Sequence, residues 1–486
     1  MKNILIGLGA VIVAVLAIVI IRTMMLPPPP AGEPKAPPIA VDTNAAAQHL
    51  AEAIRFKTVS YGEGKHEAEK IAALQAMRTW LEQTYPNFHR VASREIINDS
   101  LLFTWKGTDT SKQPILLMAH MDVVPVVPGT ENDWKHAPFS GDIAGGYVWG
   151  RGAIDDKGCL IMLLEAAEKL AATGFTPART IMFAFGQDEE VGGDMGNAVI
   201  AKTLAARGVH FAWVLDEGGA LVDEPLPGVK RPIADMAVSE KGYLSLRLTA
   251  HGEGGHSSMP THDMAILRIA DAVRAVVDHP FVSGLDDVQR AKLRAIAPLL
   301  PFVQRAMIAN LWLTEPLVVR NLERSPQSAA LLHTTIAPTM ISAGVKDNVI
   351  PPTATATINF RLHPRDTVQS VIAHVKDAIN DPKVDVTALT ETQSEASKVA
   401  DLHGANYAFV AGQISQSFGV PVAPDMLGAA TDSRHYQPLA DDVFRLDPFH
   451  FGPDDFHRIH GTNERLAIAD MAPAIGFYMR LMQGTK

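Results

Sequence analysis

The chain has 486 residues, 47% of them hydrophobic and 20% charged, with a formal charge of −10. That length can bury at least one large core and makes two domains the natural expectation, while the apolar content excludes a disordered or fibrous chain. The acidic balance, without a long basic run, excludes wholesale nucleic-acid binding, and the single cysteine, Cys159, excludes an intrachain disulfide and a cysteine-based zinc site.

Residues 4–21 carry no charged or polar side chain, and Lys2 and Arg22 flank them. As a helix this stretch rises about 27 Å, close to the hydrocarbon thickness of a bilayer. Thr23, Met24, Met25 and Leu26 follow without a small-x-small cleavage site, which favours an uncleaved single-pass anchor over a removed signal peptide. Lys2 and the amino terminus favour a cytoplasmic start, with the bulk of the chain on the non-cytoplasmic side, although Arg22 weakens the asymmetry. Prolines at 27–30, 34, 37 and 38 predict a stiff stalk over 23–43.

Apolar residues recurring at three and four predict helices over 44–55 and 65–83. Short buried-strand patterns cover 115–119, 181–185 and 211–215, with a long apolar helix over 159–173 closed by Gly174. Cys159 falls inside that helix and reads as a packing residue. Strands alternating with helices predict an α/β fold, a mixed and mostly parallel sheet with helices on both faces. From Tyr243 the pattern changes to strand 243–250, helix 264–277, strands 331–341 and 353–362, helix 367–379 and strand 384–389. That β-α-β-β-α-β order predicts a smaller unit over 243–391, inserted into a larger one formed by 44–242 and 392–486. About 50 mostly helical residues interrupt the smaller unit, and a last helix is expected over 464–482.

Each of the three strands of the larger unit runs into metal-competent side chains: His120 and Asp122, then Asp188, Glu189 and Glu190, then Asp216 and Glu217. Parallel sheets bind ligands at the carboxyl ends of their strands. A glycine-rich bend, Gly150-Arg-Gly-Ala-Ile-Asp155-Asp156-Lys157-Gly158, brings Asp155 toward the same edge. Alone, adjacent acids are usually solvated and a lone histidine is usually a satisfied core residue. Three successive strand ends change that balance, because carboxylates gathered and buried so densely need cations to offset their desolvation.

The chain carries the motifs Leu117-Met-Ala-His-Met-Asp-Val-Val-Pro125, Trp149-Gly-Arg-Gly-Ala-Ile-Asp-Asp-Lys-Gly158, Asp188-Glu-Glu-Val-Gly-Gly193, Leu215-Asp-Glu-Gly-Gly219, Gly254-Gly-His-Ser-Ser-Met-Pro260, Asn348-Val-Ile-Pro351, Ala430-Thr-Asp-Ser-Arg434 and Ile459-His-Gly-Thr-Asn-Glu464. Together, in this order, they resemble the zinc aminoacylase and carboxypeptidase family, peptidase family M20. With the apolar N-terminus, the chain is most similar to the carboxypeptidase S branch, which includes enzymes acting on N-acyl amino acids. The resemblance implies two divalent metal ions bridged by Asp155. His120 and a third-strand acid, Glu217 or Asp216, would complete one, and Glu190 and His460 the other, with His450 and His457 as nearby decoys. Mixed oxygen and nitrogen ligands suit zinc, cobalt or manganese. Asp122 would orient His120, and Glu189 would serve as general base. His256 would donate to the oxyanion, reaching across a homodimer formed through the smaller unit. Asn348, Arg361 and Arg434 would contact substrate, with Arg361 on its carboxylate or, alternatively, in a strand-surface salt bridge.

The expected activity is cleavage of the amide bond of N-acyl amino acids or short peptides with a free C-terminal carboxylate. A desuccinylase- or aminopeptidase-type amidohydrolase and an inactive membrane-anchored binding protein are the alternatives.

Overall fold

The computed structural model describes residues 2–27, 35–62, 66–223, 231–389 and 393–485. Prolines 28–30 and 34 of the expected stalk lie outside them. The first helix, α1 (Lys2–Met25), is long and apolar enough to cross a membrane by length and composition. It is followed by α2 (Thr43–Arg55), α3 (Glu67–Thr84), α4 (Pro86–Val91), β1 (Ser93–Ile97), β2 (Ser100–Trp105) and β3 (Ile115–His120). Then come β4 (Asp142–Ala144), β5 (Tyr147–Trp149), α5 (Lys157–Ala172), β6 (Ile181–Gly186), α6 (Asn197–Ala206), β7 (Phe211–Asp216), β8 (Ala220–Val222) and β9 (Ile233–Glu240). The middle of the chain forms β10 (Gly242–His251), β11 (Gly255–His256), α7 (Ala265–Asp278), α8 (Asp287–Ile296), α9 (Phe302–Ala309), α10 (Leu311–Leu322) and α11 (Pro326–Ala330). It continues through β12 (Thr335–Ala343), β13 (Val349–Ile350), β14 (Thr353–Leu362), α12 (Val368–Ile379) and β15 (Val384–Ala388). The chain closes with α13 (Ala405–Phe418), β16 (Val422–Leu427), β17 (Ala440–Arg445), β18 (His450–Phe451), β19 (Arg465–Ala467) and α14 (Ile468–Gly484).

The fold is mixed α/β. Ten strands form one sheet in the order β1-β2-β6-β3-β7-β17-β9-β8-β18, with β16 also paired to β9. Its centre, β6-β3-β7-β17, is parallel. Every residue of β3, β6 and β7 is buried, as expected of strands covered on both faces, whose sequences run apolar without alternation. One face packs on α2, α5 and α14 through Leu50, Leu160, Leu163 and Phe477; the other packs on α6 through Ile200 and Leu204. The crossover helices α5 and α6 return the chain so that β3, β6 and β7 finish at one edge of the sheet.

A second sheet, in the order β12-β14-β10-β15, is antiparallel throughout. β14 alternates buried and half-buried residues with period two, so Ala354, Ala356, Ile358 and Phe360 meet α7 and α12 in a separate core. Thr367 caps α12, its Oγ1 accepting from the Ser370 amide at 3.1 Å. β12 is an edge strand, exposed along most of its length.

The helical insertion does not join that second core. Leu293, Ile296, Ile308, Leu311 and Val318 of α8–α10 pack instead with Ile233 of β9 and Ala423 of β16, at the margin of the large sheet. Lys292 of α8 fixes the seam, its Nζ donating to Asp235 Oδ2 at 2.9 Å and Asp425 Oδ2 at 2.7 Å. Burial opposes its charge, but the two carboxylates hold the ammonium above the usual lysine range. Lys292→Met strands two carboxylates and is expected to cost roughly 2 kcal/mol, less than a fully buried pair because Lys292 keeps some exposure. Thermal melts check this, and adding Asp235→Asn and Asp425→Asn should recover part of the loss.

Candidate active site

Asp122 organises the edge where the parallel strands end. It is fully buried just beyond β3, and its carboxylate accepts from Ser60 Oγ at 2.6 Å, Glu189 N at 3.1 Å and Glu190 N at 3.3 Å. The loop after β6 is thereby tied to the end of β3. His120 Nδ1 lies 3.0 Å from the Asp122 main-chain oxygen and 3.4 Å from its Oδ1. The carbonyl is therefore the closer partner, a refinement of the orienting role expected for the side chain.

Asp155 stands at the turn into α5, and Glu464 holds that turn from beneath. Glu464 Oε1 accepts from Ile154 N at 2.9 Å and Asp155 N at 3.2 Å, while Oε2 meets Arg151 Nη1 at 2.7 Å. Arg151 Nη2 also donates to the His460 carbonyl at 3.0 Å. One buried ion pair thus supports both Asp155 and His460. Lys157, fully buried, donates to the carbonyls of Ala53 and Phe56 and anchors the start of α5 on α2.

These supports bring the distant side chains together. Asp155 Oδ1 lies 2.9 Å from His120 Nε2, and its Oδ2 lies 2.9 Å from His460 Nε2. Glu217 Oε1 is 3.4 Å from His120 Nε2, and Glu190 Oε2 is 3.0 Å from His460 Nε2. Two nests result, one of His120, Asp155 and Glu217, the other of His460, Asp155 and Glu190. Asp216 turns away, its Oδ2 accepting from Ser433 N at 2.8 Å. Glu189 lines the same cavity as Asp155, Glu217 and His460.

Charge is poorly balanced in this volume. Burial pushes the Glu189 and Glu217 carboxyls well above their ordinary range and Glu190 up to about 7. Hydrogen bonds to Asp155 and Glu190 draw His460 up to about 10. Burial works against protonation of His120, yet the Glu217 charge and its contacts to Asp122 and Asp155 raise it. Three carboxylates and two imidazoles converging with a deficit of positive charge form a donor set suited to divalent metal.

The remaining expected residues lie elsewhere. His256 is exposed on β11 and pairs with Ser258 Oγ at 2.8 Å; β11 pairs with β13, beside Asn348, whose Oδ1 is buried without a partner among the described residues. Arg361 stacks 4.6 Å over the Tyr243 ring and, among the described residues, forms no salt bridge. Arg434 donates to the Gly192 carbonyl. Tyr243, Arg434 and Glu190 share a cleft of about 600 Å³.

Sequence reasoning passed over several contributors. Asp156 accepts from His120 N at 3.2 Å and, with His120 and Glu217, forms a further possible metal-holding group. Asp447 and Cys159 meet beneath it at 3.5 Å. Ser60 and Asp447 sit in segments with no pattern of their own. Glu464 was visible only as the end of a motif.

Residues 116–484 match the family described as Peptidase family M20/M25/M40. The chain belongs to this family. It is 39% identical over 451 residues to a probable carboxypeptidase S-like protein of Dictyostelium discoideum, covering 90% of this chain and 85% of that one. It is 36% identical over 439 residues to the N-fatty-acyl-amino acid synthase/hydrolase PM20D1 of Xenopus tropicalis, covering 89% and 84%. The fold matches an M20 family metallo-carboxypeptidase from Sulfolobus solfataricus with a TM-score of 0.65 at 17% identity, over 90% of this chain and 98% of that one. This M20 member is a hydrolase of the carboxypeptidase and aminoacylase type, in a metal-dependent family.

Glu464→Ala removes the partner of Arg151 and the acceptor beneath Asp155. Leaving a fully buried guanidinium unpaired is expected to cost about 3–5 kcal/mol, read as a lowered thermal midpoint.

Proposed function

We propose that this M20 hydrolase cleaves the amide bond of N-acyl amino acids, with short peptides bearing a free C-terminal carboxylate as a secondary class. The observation that carries the reading is a cavity of about 340 Å³ opening from the polar cluster. Asp155, Glu189, Glu217 and His460 line one end, and Met426, Leu427, Phe451, Phe456 and Ile459 form apolar walls. Such walls suit an acyl chain, each buried methylene contributing about 0.8 kcal/mol. The N-fatty-acyl substrates named for the Xenopus relative support the same class.

His120, Asp155 and Glu217 would hold one divalent ion, and Asp155, Glu190 and His460 a second, with zinc the leading candidate and cobalt or manganese alternatives. Ions bound there would lower the pKa of a water and polarise the scissile carbonyl. Glu189 takes the proton of that water and returns it to the leaving amine. Asp122 keeps Glu189 in place by accepting its backbone N–H. Arg361 and Arg434 supply cations for the substrate carboxylate once the smaller sheet draws close. His256 completes the oxyanion site from a second copy of the chain, a reading that the exposed β12 edge supports. α1 anchors the enzyme in a membrane, with the catalytic unit on the non-cytoplasmic side.

A series of N-acyl amino acids, beside N-succinyl substrates and C-terminal dipeptides, tests this function. Glu189→Gln should lower turnover by about 10²–10⁴-fold while metal content, read by elemental analysis, stays unchanged; full turnover in that variant overturns the assigned base. Val222→Trp narrows the cavity on its apolar side. It should lower kcat/KM for long chains by roughly tenfold or more, the loss of two or more buried methylenes, while N-acetyl substrates are unaffected. Equal loss across chain lengths would remove the acyl assignment.

A further inference from the structure

The anchor reading of α1 has a geometric consequence for the helical insertion. Val15, Val19 and Thr23, spaced by four along one stripe, are the residues of α1 shielded from solvent. α9 packs against α1. At the corner between α9 and α10, Asn310 Nδ2 donates to the Val19 carbonyl at 3.2 Å and Thr23 Oγ1 at 3.4 Å. Arg305 of α9 donates to the Leu26 carbonyl at 2.8 Å. The charge-free stretch of α1 ends at Ile21, so Asn310 is tied to a turn still inside it. From Val15 to Arg22 the helix rises about 10 Å. A bilayer that receives α1 up to Arg22 therefore meets α9 and α10 as well.

Their outward side chains suit that medium. Phe302, Val303, Trp312, Leu313 and Leu317 are each at least half exposed, from 50% at Leu313 to 70% at Val303. Beside them is a concavity of about 580 Å³ lined by Arg22, Arg290, Arg294 and Trp312, with Met25 and Leu26 of the α1 end. Arg290 is already paired with Glu315 at 2.7 Å, and the guanidinium groups of Arg22 and Arg294 offer the forked donors that phosphate accepts. Tryptophan favours the headgroup level, and interfacial helices bury their apolar faces about 5–10 Å deep.

We propose that α9 and α10 form a second membrane contact, an interfacial patch seated in the leaflet from which α1 emerges, with the arginine-lined concavity taking the phosphate of an anionic phospholipid. The proposal rests on the anchor reading of α1. It makes the insertion a part of the membrane attachment, continuous with the anchor through Asn310 and Arg305.

The test uses the full chain reconstituted in phosphatidylcholine and phosphatidylserine vesicles. Cys159 is buried, so Phe302→Cys, Leu313→Cys, Val13→Cys and Val345→Cys each provide one accessible thiol for a fluorophore. Val345, 96% exposed in the bend after β12, is the aqueous reference. Labels at 302 and 313 should shift to shorter wavelength and be quenched severalfold more than the label at 345 by lipids brominated near the headgroup. The label at 13 should be quenched by lipids brominated deep in the chain. Labels at 302 and 313 as unquenched as 345, with 13 quenched, would overturn the patch and leave the anchor standing; shielding of 302 and 313 by a second copy would give that result. If 13 also escapes quenching, the anchor falls and the patch with it. Quenching at 313 should rise as phosphatidylserine replaces phosphatidylcholine, and a flat response would overturn the phosphate site.

Discussion

Asp155 has two carboxylate oxygens, and an imidazole stands against each. Everything else at the strand edge depends on keeping that one side chain at the midpoint between His120 and His460. Gathering further carboxylates around it is costly in a buried volume, and the chain meets the cost with fixed donors. Backbone amides and Ser60 satisfy Asp122, Arg151 offsets Glu464, and Lys157 is bonded to the carbonyls of α2. The side chains of Asp122, Ser60, Arg151, Lys157 and Glu464 do not line the cavity. They set the positions of those that do.

The parts of this arrangement legible in sequence were those governed by a short-range rule. Strands β3, β6 and β7 were visible because burial on both faces forces an unbroken apolar run, and β14 because one buried face forces alternation. Their ends pointed to His120, Glu190 and Glu217 because parallel strands with crossover helices finish at one edge. Elements with mixed composition escaped notice. β17 carries Asp441 and Asp442 in its first half, and β16 includes Pro424, tolerated where the strand lies off the main path of the sheet. The helical insertion was legible as helical, but which sheet it covers is decided by Lys292 reaching Asp235 and Asp425, 57 and 133 residues away. No local pattern encodes such a pairing.

At the site the same division holds. Asp216 and Glu217 were equivalent in the sequence because they are neighbours; the pleat separates them, since adjacent residues leave a strand end in opposite directions. Asp216 goes to Ser433 and Glu217 to His120. His256, exposed, and Asn348, half-buried, sit at a short ladder of their own. They belong to the part of the chain that has a separate core, which shares no buried side chain with the core of the large sheet.

Lys292 belongs at once to the insertion and to the wall behind the apolar cavity, because both carboxylates that it bridges line that cavity. The lining of the cavity is thereby tied to a helix outside it. Substitutions in α8 that release Asp235 and Asp425 would alter that lining without changing any residue of the His120–Asp155–His460 constellation. On the function proposed above, selectivity and chemistry would then be separable traits, free to drift at different rates over descent.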